Sequence, residues 1–371
     1  MKNNARVFRA RKFSARILAT LLLATTFLGG CSKNTSDSTS SATGAVSSVS
    51  SAGASATGAS VADSAAASSD AGEGFTIPPL PTKDLSGNEI TVPEEVNAII
   101  SMNPSTTQLL IDLGLGDKIV ATDTYSATDF AASLKSDVKS FDMMTPDNEQ
   151  LIALKPDLVF TTDMSGVDGN DDYAAVREAG IAVLDIPSAS SLQEIVDSIL
   201  FVGNCTGTYK EAYDISKRME AFMYDLDAIG KTVKEEEKVK VLFTLSTPSA
   251  DYPQIYSVGK GSYIDEILTK LGAVNIAGSE DTPWPVLTEE ATVEANPDFV
   301  LLADNYTPDA VNTLLGLKGW ENITAVANKQ VYLIDANAIS RPNQHVCGAI
   351  AEIAHILYPG IYKDIMDPFA K

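Results

Sequence analysis

The sequence predicts an α/β protein with two lobes, each built on a mainly parallel sheet, joined by a single long helix. Three observations predict it. Short apolar runs alternate with amphipathic helical segments, the order that produces parallel strands with crossover helices. From Thr208 to Lys231 a stretch with no Gly or Pro before Gly230 breaks that rhythm, and Ala212, Ile215, Met219, Phe222, Leu226 and Ile229 recur on it at steps of three and four. A Glu-x6-Pro-Asp pattern occurs once on each side of that stretch, in Glu149-QLIALK-Pro156-Asp157 and in Glu290-ATVEAN-Pro297-Asp298.

Taken in order, the first thirty residues are a basic region, an apolar run from Ile17 to Leu28, and Gly29-Gly30 before Cys31. This pattern predicts an export signal over residues 1–30, because the apolar run is too short for a stable membrane span. Leu28-Gly29-Gly30-Cys31 resembles the bacterial lipobox and makes Cys31 the candidate lipidation site. Residues 31–74 are rich in Ser, Ala, Gly, Thr, Val and Asp, with no aromatic residue before the end. They cannot bury enough apolar surface to order themselves and are expected to form a tether.

Residues 75–206 are expected to form the N-terminal lobe. A turn at Ser86-Gly87-Asn88 opens it. Strands are predicted at Asn97–Met102, Lys118–Thr122, Asp157–Thr161 and Ile181–Asp185. Helices are predicted from Pro104 to Gly114 and over Asn148–Leu154, Asp171–Ala179 and Ser191–Val202. The helix within 207–231 would span about 33 Å, longer than one small lobe, and reads as a strut between two of them.

In residues 232–371 the alternation restarts. Strands are predicted at Lys238–Leu245, Phe299–Ala303 and Gln330–Ile334, and helices at Ser262–Leu271, Glu289–Ala295, Ala310–Leu317 and Val346–Leu357. Ser262 is the expected N-cap of its helix. The stretch after Ser105 and the stretch after Ser262 also echo one another, with a spacing that differs by one residue.

Charge and motif content exclude several classes. The formal charge of the 371 residues is −22, and the leader is basic, so the remainder is more acidic still. Such a body repels nucleic acid and offers no basic patch to a membrane, leaving the lipid anchor as the membrane contact. His345 and His355 are the two histidines, and their spacing sets them on different helix faces, so no metal site is expected. No metalloprotease, nucleophile-elbow or phosphate-loop motif occurs. The chain is not expected to be an enzyme. Cys205 and Cys347 are expected to be buried free thiols.

The residues also carry a family resemblance. Asp84-x-x-Gly-Asn-Glu-Ile-Thr-Val-Pro93, Ile99-Ile-Ser-Met-Asn-Pro-Ser-Thr-Thr-Gln-Leu-Leu110, Leu113-Gly-Leu-Gly-Asp-Lys-Ile-Val120, Pro283-Trp-Pro285, Gly319-Trp-Glu-Asn322, Ser340-Arg-Pro342 and the two Glu-x6-Pro-Asp units resemble the solute-binding lipoproteins of ABC importers for iron-siderophore complexes, haem and cobalamin. The resemblance spans Phe75 to Tyr362. It implies two Rossmann-like lobes in the class III periplasmic binding protein fold and a ligand in the cleft between them. It further implies a monomer anchored by lipid to the outer face of a cell membrane, in a Gram-positive cell given the tether. Its partners would be permease subunits with their ATPase, and the two glutamates that dock on the permease would be Glu149 and Glu290. No intrinsic cofactor is implied. The transported ligand would be a small metal complex: an iron chelate, haem or cobalamin. A surface adhesin or sensor that kept the fold without transport is the alternative.

Ligands of such sheets bind at the carboxyl ends of the strands. That rule selects Asn103, Ser105, Tyr125, Met143, Met144, Tyr256, Trp284, Arg341 and His345, with Asp142, Met164, Asn305, Tyr306 and Asn343 beside them. Tyr125 and the Pro-Trp-Pro around Trp284 match cobalamin-binding relatives, which carry a tryptophan near the position of Met143 that this chain lacks. Met144, with His345 or Tyr256 opposite, would suit haem. Beyond the leader the arginines are Arg177, Arg218 and Arg341, which disfavours a strongly anionic siderophore.

Overall fold

Residues alternate between two destinations along the central strands, and this alternation decides how the lobes join. Ile99, Leu158 and Phe160 face one core while Ile100 and Val159 face another. In the second half Val241 and Phe243 face the first core again, and Leu242 a third. Successive strand side chains point to opposite faces of a sheet. Each sheet therefore has an outer face with a private core and an inner face that feeds one shared core.

The computed structural model describes residues 76–162 and 171–370. The signal, Cys31, the tether and Met164 lie outside the described residues. In the first lobe, β1 (Ile99–Ser101), α1 (Pro104–Asp112), β2 (Ile119–Asp123), α2 (Thr124–Asp129), β3 (Lys139–Phe141), α3 (Asn148–Ala153), β4 (Leu158–Thr161), α4 (Ala174–Glu178) and β5 (Ala182–Asp185) build a five-stranded sheet of order β3-β2-β1-β4-β5. All its pairings are parallel. Next come α5 (Leu192–Thr206) and the long helix α6 (Tyr209–Gly230).

The second lobe contains β6 (Lys240–Thr244), β7 (Ile255–Tyr256), α7 (Tyr263–Lys270), β8 (Val274–Asn275), β9 (Val286–Leu287), α8 (Glu289–Ala295), β10 (Phe299–Leu302), α9 (Ala310–Leu315), α10 (Thr324–Ala327), β11 (Val331–Leu333), α11 (Ala336–Ser340) and α12 (Val346–Leu357). Its parallel sheet has the order β11-β10-β6-β8, and β7 pairs with β9 in a separate antiparallel ribbon. The expected α/β fold of two parallel sheets and one long helix is present. The described residues cluster as one compact unit, consistent with the shared core.

The long helix is not a lone strut. Gly207 ends α5 in the left-handed conformation, at φ 73°, and the chain turns back so that α6 packs along α5. The packing is close: a Cβ on Gly203 would lie 2.2 Å from Ala212 Cβ. Sequence periodicity predicted both helices, but only the turn at Gly207 makes them partners. Cys205 and Cys347 are buried and free as expected, and burial pushes the Cys205 thiol up to about 12.

The internal repeat extends to backbone detail. Lys155 and Asn296 both adopt left-handed backbone, at φ 49° and 47°, immediately before the two Pro-Asp pairs. Asp157 Oδ2 then accepts from the amides of Asn97 and Ala98 at 2.7 and 2.9 Å, and Asp298 Oδ2 accepts from Lys240 at 2.8 Å. Each aspartate thus ties the start of its own strand to the start of the neighbouring strand. The residue types follow from the geometry, because proline fixes the backbone after the turn and a short carboxylate reaches the adjacent amides.

Candidate functional site

Two corners of the backbone present aromatic side chains by the same device. Asp123 ends β2, is fully buried, and its Oδ1 accepts from the amides of Tyr125 and Ser126, both at 2.9 Å; Ser126 Oγ donates to its other oxygen. Asp304 follows β10, and its Oδ1 accepts from Tyr306 and Thr307 at 2.8 and 3.1 Å. Its Oδ2 takes the amide and hydroxyl of Thr247 at 2.8 and 2.6 Å. Burial would raise the Asp304 carboxyl, but the donors from Thr247, Thr307 and the Tyr306 amide outweigh it and hold the group at about 2. Each Asp-x-Tyr corner leaves its tyrosine outside: Tyr125 is 53% exposed and Tyr306 86%.

A third aromatic is held by its backbone. Gly259 donates to the carbonyl of Pro283 at 3.0 Å and Ser257 to that of Pro285 at 2.9 Å, so the Pro-Trp-Pro loop is pinned on both sides of Trp284. Trp284 itself is 48% exposed. Only glycine fits beneath the loop, since a Cβ on Gly259 would sit 2.3 Å from the carbonyl oxygen of Thr282. Tyr256 lies on β7, next to this loop through the β7–β9 ribbon, and is half-buried. On the first lobe Met144 is exposed, while Met143 packs against the outer core of its sheet.

Ser105, Arg341, Asn343 and His345 are engaged in a polar seam between the lobes. Asn103 caps α1, with its Oδ1 accepting from Ser105 N at 2.9 Å. Ser105 Oγ donates to the carbonyl of Pro342 at 3.0 Å, and Asn343 Nδ2 donates back to the Ser105 carbonyl at 3.1 Å and to Gln108 Oε1 at 3.0 Å. His345 Nε2 and Gln344 Nε2 both meet Asp112 Oδ2, at 2.6 and 2.8 Å. Arg341 pairs with Asp129 at the end of α2. Ser105 Oγ and His345 Nε2 thus bond to the opposite lobe, where α1 meets the segment leading into α12.

An interlobe cavity of about 610 Å³ adjoins the seam, lined by Gln108, Asp129 and Phe130 from one side and Arg341, His345 and Glu352 among others from the other. Burial pushes the Glu352 carboxyl up. Among the described residues, those of the sequence-selected site on that lining are Arg341 and His345. Among the described residues no set of three or more His, Cys, Asp or Glu is arranged to hold a metal ion. Asp129 was missed by sequence reasoning, and the one signal for it is its position four residues after Tyr125 on the same short helix.

Glu149 and Glu290 hold equivalent places. Each is the second residue of its helix, α3 or α8, and each is exposed. The caps beneath them are Asp147, which accepts from Gln150 N, and Thr288, which accepts from Ala291 N. A carboxylate in a first turn is favoured by the helix dipole. The symmetry of two such carboxylates leaves a matched pair of acidic points, one per lobe.

Known proteins share this arrangement. The periplasmic binding protein family matches residues 99–338. An uncharacterized ABC transporter substrate-binding lipoprotein, YvrC, of Bacillus subtilis is 31% identical over 296 residues, 80% of this chain and 91% of that protein. A cobalamin-binding protein of Halobacterium salinarum is 25% identical over 286 residues, 76% of this chain and 74% of its own length. The crystal structure of a possible iron-binding, periplasmic solute-binding protein from Staphylococcus epidermidis superposes with a TM-score of 0.60 at 25% identity, covering 71% of this chain and all of that one. Two parallel sheets on a shared core are in keeping with these matches, and the family match and the 31% identical relative show that the chain belongs to the periplasmic binding protein family of solute-binding proteins.

Proposed function

We propose that this chain is the lipid-anchored receptor of an ABC importer and that it captures a neutral corrinoid, cobalamin, for delivery to the permease and its ATPase. The observation that carries the ligand is the set of rigidly presented aromatics, Tyr125 just after β2 on one lobe and Trp284 just before β9 on the other, both about half exposed. Exposed rings held by their backbones suit a large, flat, largely apolar ligand, because they contribute area at small entropic cost. The cobalamin-binding relative supports the same reading. The exported, anchored state rests on the signal and Cys31, and the lipoprotein relative supports it.

Delivery rests on Glu149 and Glu290. Two carboxylates fixed on lobes that share one core form a two-point electrostatic dock, which favours both orientation and encounter rate. Exchanging both for alanine leaves cobalamin binding by the purified protein unchanged and abolishes uptake in cells; retained uptake would instead favour an adhesin or sensor. Haem is the second reading, favoured by the exposed Met144. His345, which meets Asp112 through Nε2, or Tyr256 would supply the opposite axial ligand. Absorbance spectra of protein purified from cobalamin-fed and haem-fed cells separate the two. A corrinoid spectrum lost in Trp284→Ala supports cobalamin, whereas a Soret band lost in Met144→Ala replaces it with haem.

A further inference from the structure

The arginine at the cleft is already paired. Arg341 reaches from the second lobe to Asp129 on α2 of the first, its guanidinium carbon lies 5.2 Å from the centre of the Phe130 ring, and its side chain is only 13% exposed. Asp129 is 34% exposed and sits four residues after Tyr125, on the same face of α2. The other arginines of the described residues are elsewhere: Arg177 pairs with Asp171 and Asp185, and Arg218 lies over Phe369. Lys260, near the Trp284 loop, is matched by Asp281 at 3.5 Å. Asp335 and Asp367 line the same cavity as Arg341 and add further negative charge.

We propose that Asp129 is a specificity-determining residue, a charge filter that keeps Arg341 for the protein and so bars polyanionic metal chelates while admitting neutral ones. The inference rests on the cleft proposed above and names what that cleft rejects. An anionic ligand entering beside Tyr125 meets a neutralised guanidinium, a carboxylate and an acidic lining. To gain the arginine it must first displace Asp129, leaving that carboxylate without its partner. Discrimination of this kind comes from the unpaired charge imposed on the wrong ligand as much as from contacts to the right one. A neutral ligand leaves the pair intact and is indifferent to it.

The test uses Asp129→Asn, an isosteric change at a partly exposed position, and the double variant Asp129→Asn/Arg341→Gln. Quenching of intrinsic tryptophan fluorescence is titrated with cyanocobalamin and with a ferric tris-catecholate, a trianion. Wild type is expected to bind the tris-catecholate weakly. Asp129→Asn should bind it at least about tenfold more tightly, a change expected of like-charge removal in a partly buried site, and the double variant should lose that gain. Tris-catecholate affinity unchanged in Asp129→Asn, or as tight in wild type as in the variant, overturns the filter. Cyanocobalamin is read separately: its failure to bind wild type removes the corrinoid reading, while the tris-catecholate arm still decides the role of Asp129.

Discussion

The seam between the lobes and the corners that carry Tyr125, Trp284 and Tyr306 use side chains in opposite ways. In the seam, Ser105, Asn343 and Gln344 are almost fully buried, and each makes a hydrogen bond to the opposite lobe. At the corners, the three aromatic side chains are exposed, and what is bonded is the backbone or carboxylate beneath them. The difference teaches where rigidity resides. Polar groups that must be satisfied on burial fix the angle between the lobes. The aromatic faces stay exposed, and a ligand contact for them belongs to the proposal above.

Perturbing the seam should have the largest effect on stability. Asn343→Ala removes two donated bonds and the acceptor for His345 N, which lies 2.9 Å from Asn343 Oδ1. Buried partners are left unsatisfied, so the loss should be about 2 to 3 kcal/mol in urea unfolding. A loss no larger than that of a surface substitution would break the contrast. Next in size is an acid effect at the Asp304 corner. Its carboxyl is held near 2, so the stability it contributes is complete above the unfolded value of about 3.9 and lost as pH falls through about 2. Wild type should therefore lose about 1 to 2 kcal/mol more than Asp304→Asn between pH 5 and 2, measured by denaturant midpoints.

Gly259→Ala should sharpen the comparison from the other side. It pushes against the Thr282 carbonyl and displaces the loop around Trp284, so cobalamin affinity should fall about tenfold, or about 1.4 kcal/mol, with near-native circular dichroism. Retained affinity would show that Trp284 is not a contact. The smallest effect is expected at Lys210→Ala on α6, which removes an exposed pair with Asp214. No change in melting temperature beyond measurement error should result, since exposed i,i+4 pairs contribute little.

How much of this was legible in the sequence depends on the range of the interactions. The Glu-x6-Pro-Asp repeat was legible because its residue pattern is local, although the amides that its aspartates hold lie 60 and 58 positions away. The long helix and most strands were legible from periodicity. The short strands β3, β7, β8 and β9 and the helices α2, α10 and α11 were not, being too short to show a period. The seam was hidden for a different reason, since Ser105 and Pro342 are 237 positions apart and no local pattern announces their meeting. Ser105 and His345 were therefore selected by position after a strand or before a helix, while what they touch depends on the packing of α1 against the α12 entry. The two Asp-x-Tyr corners were present in the sequence as a second, shorter repeat, and only the hydrogen bonds around Asp123 and Asp304 give it meaning.

The shared inner core also governs the order in which the protein can be finished. The first sheet has all its strands by Asp185, yet Ile99, Leu158 and Phe160 belong to a core that includes Ile350 and Ile353 of the last helix. During synthesis, the inner face of the first sheet receives α1 and α5 of its own half early, but the core that it shares is complete only when α12 arrives, more than 160 residues after Asp185. An emerging chain that lacks α12 is thus an aggregation hazard, and the interval before its last helix arrives is when a chaperone would be needed most.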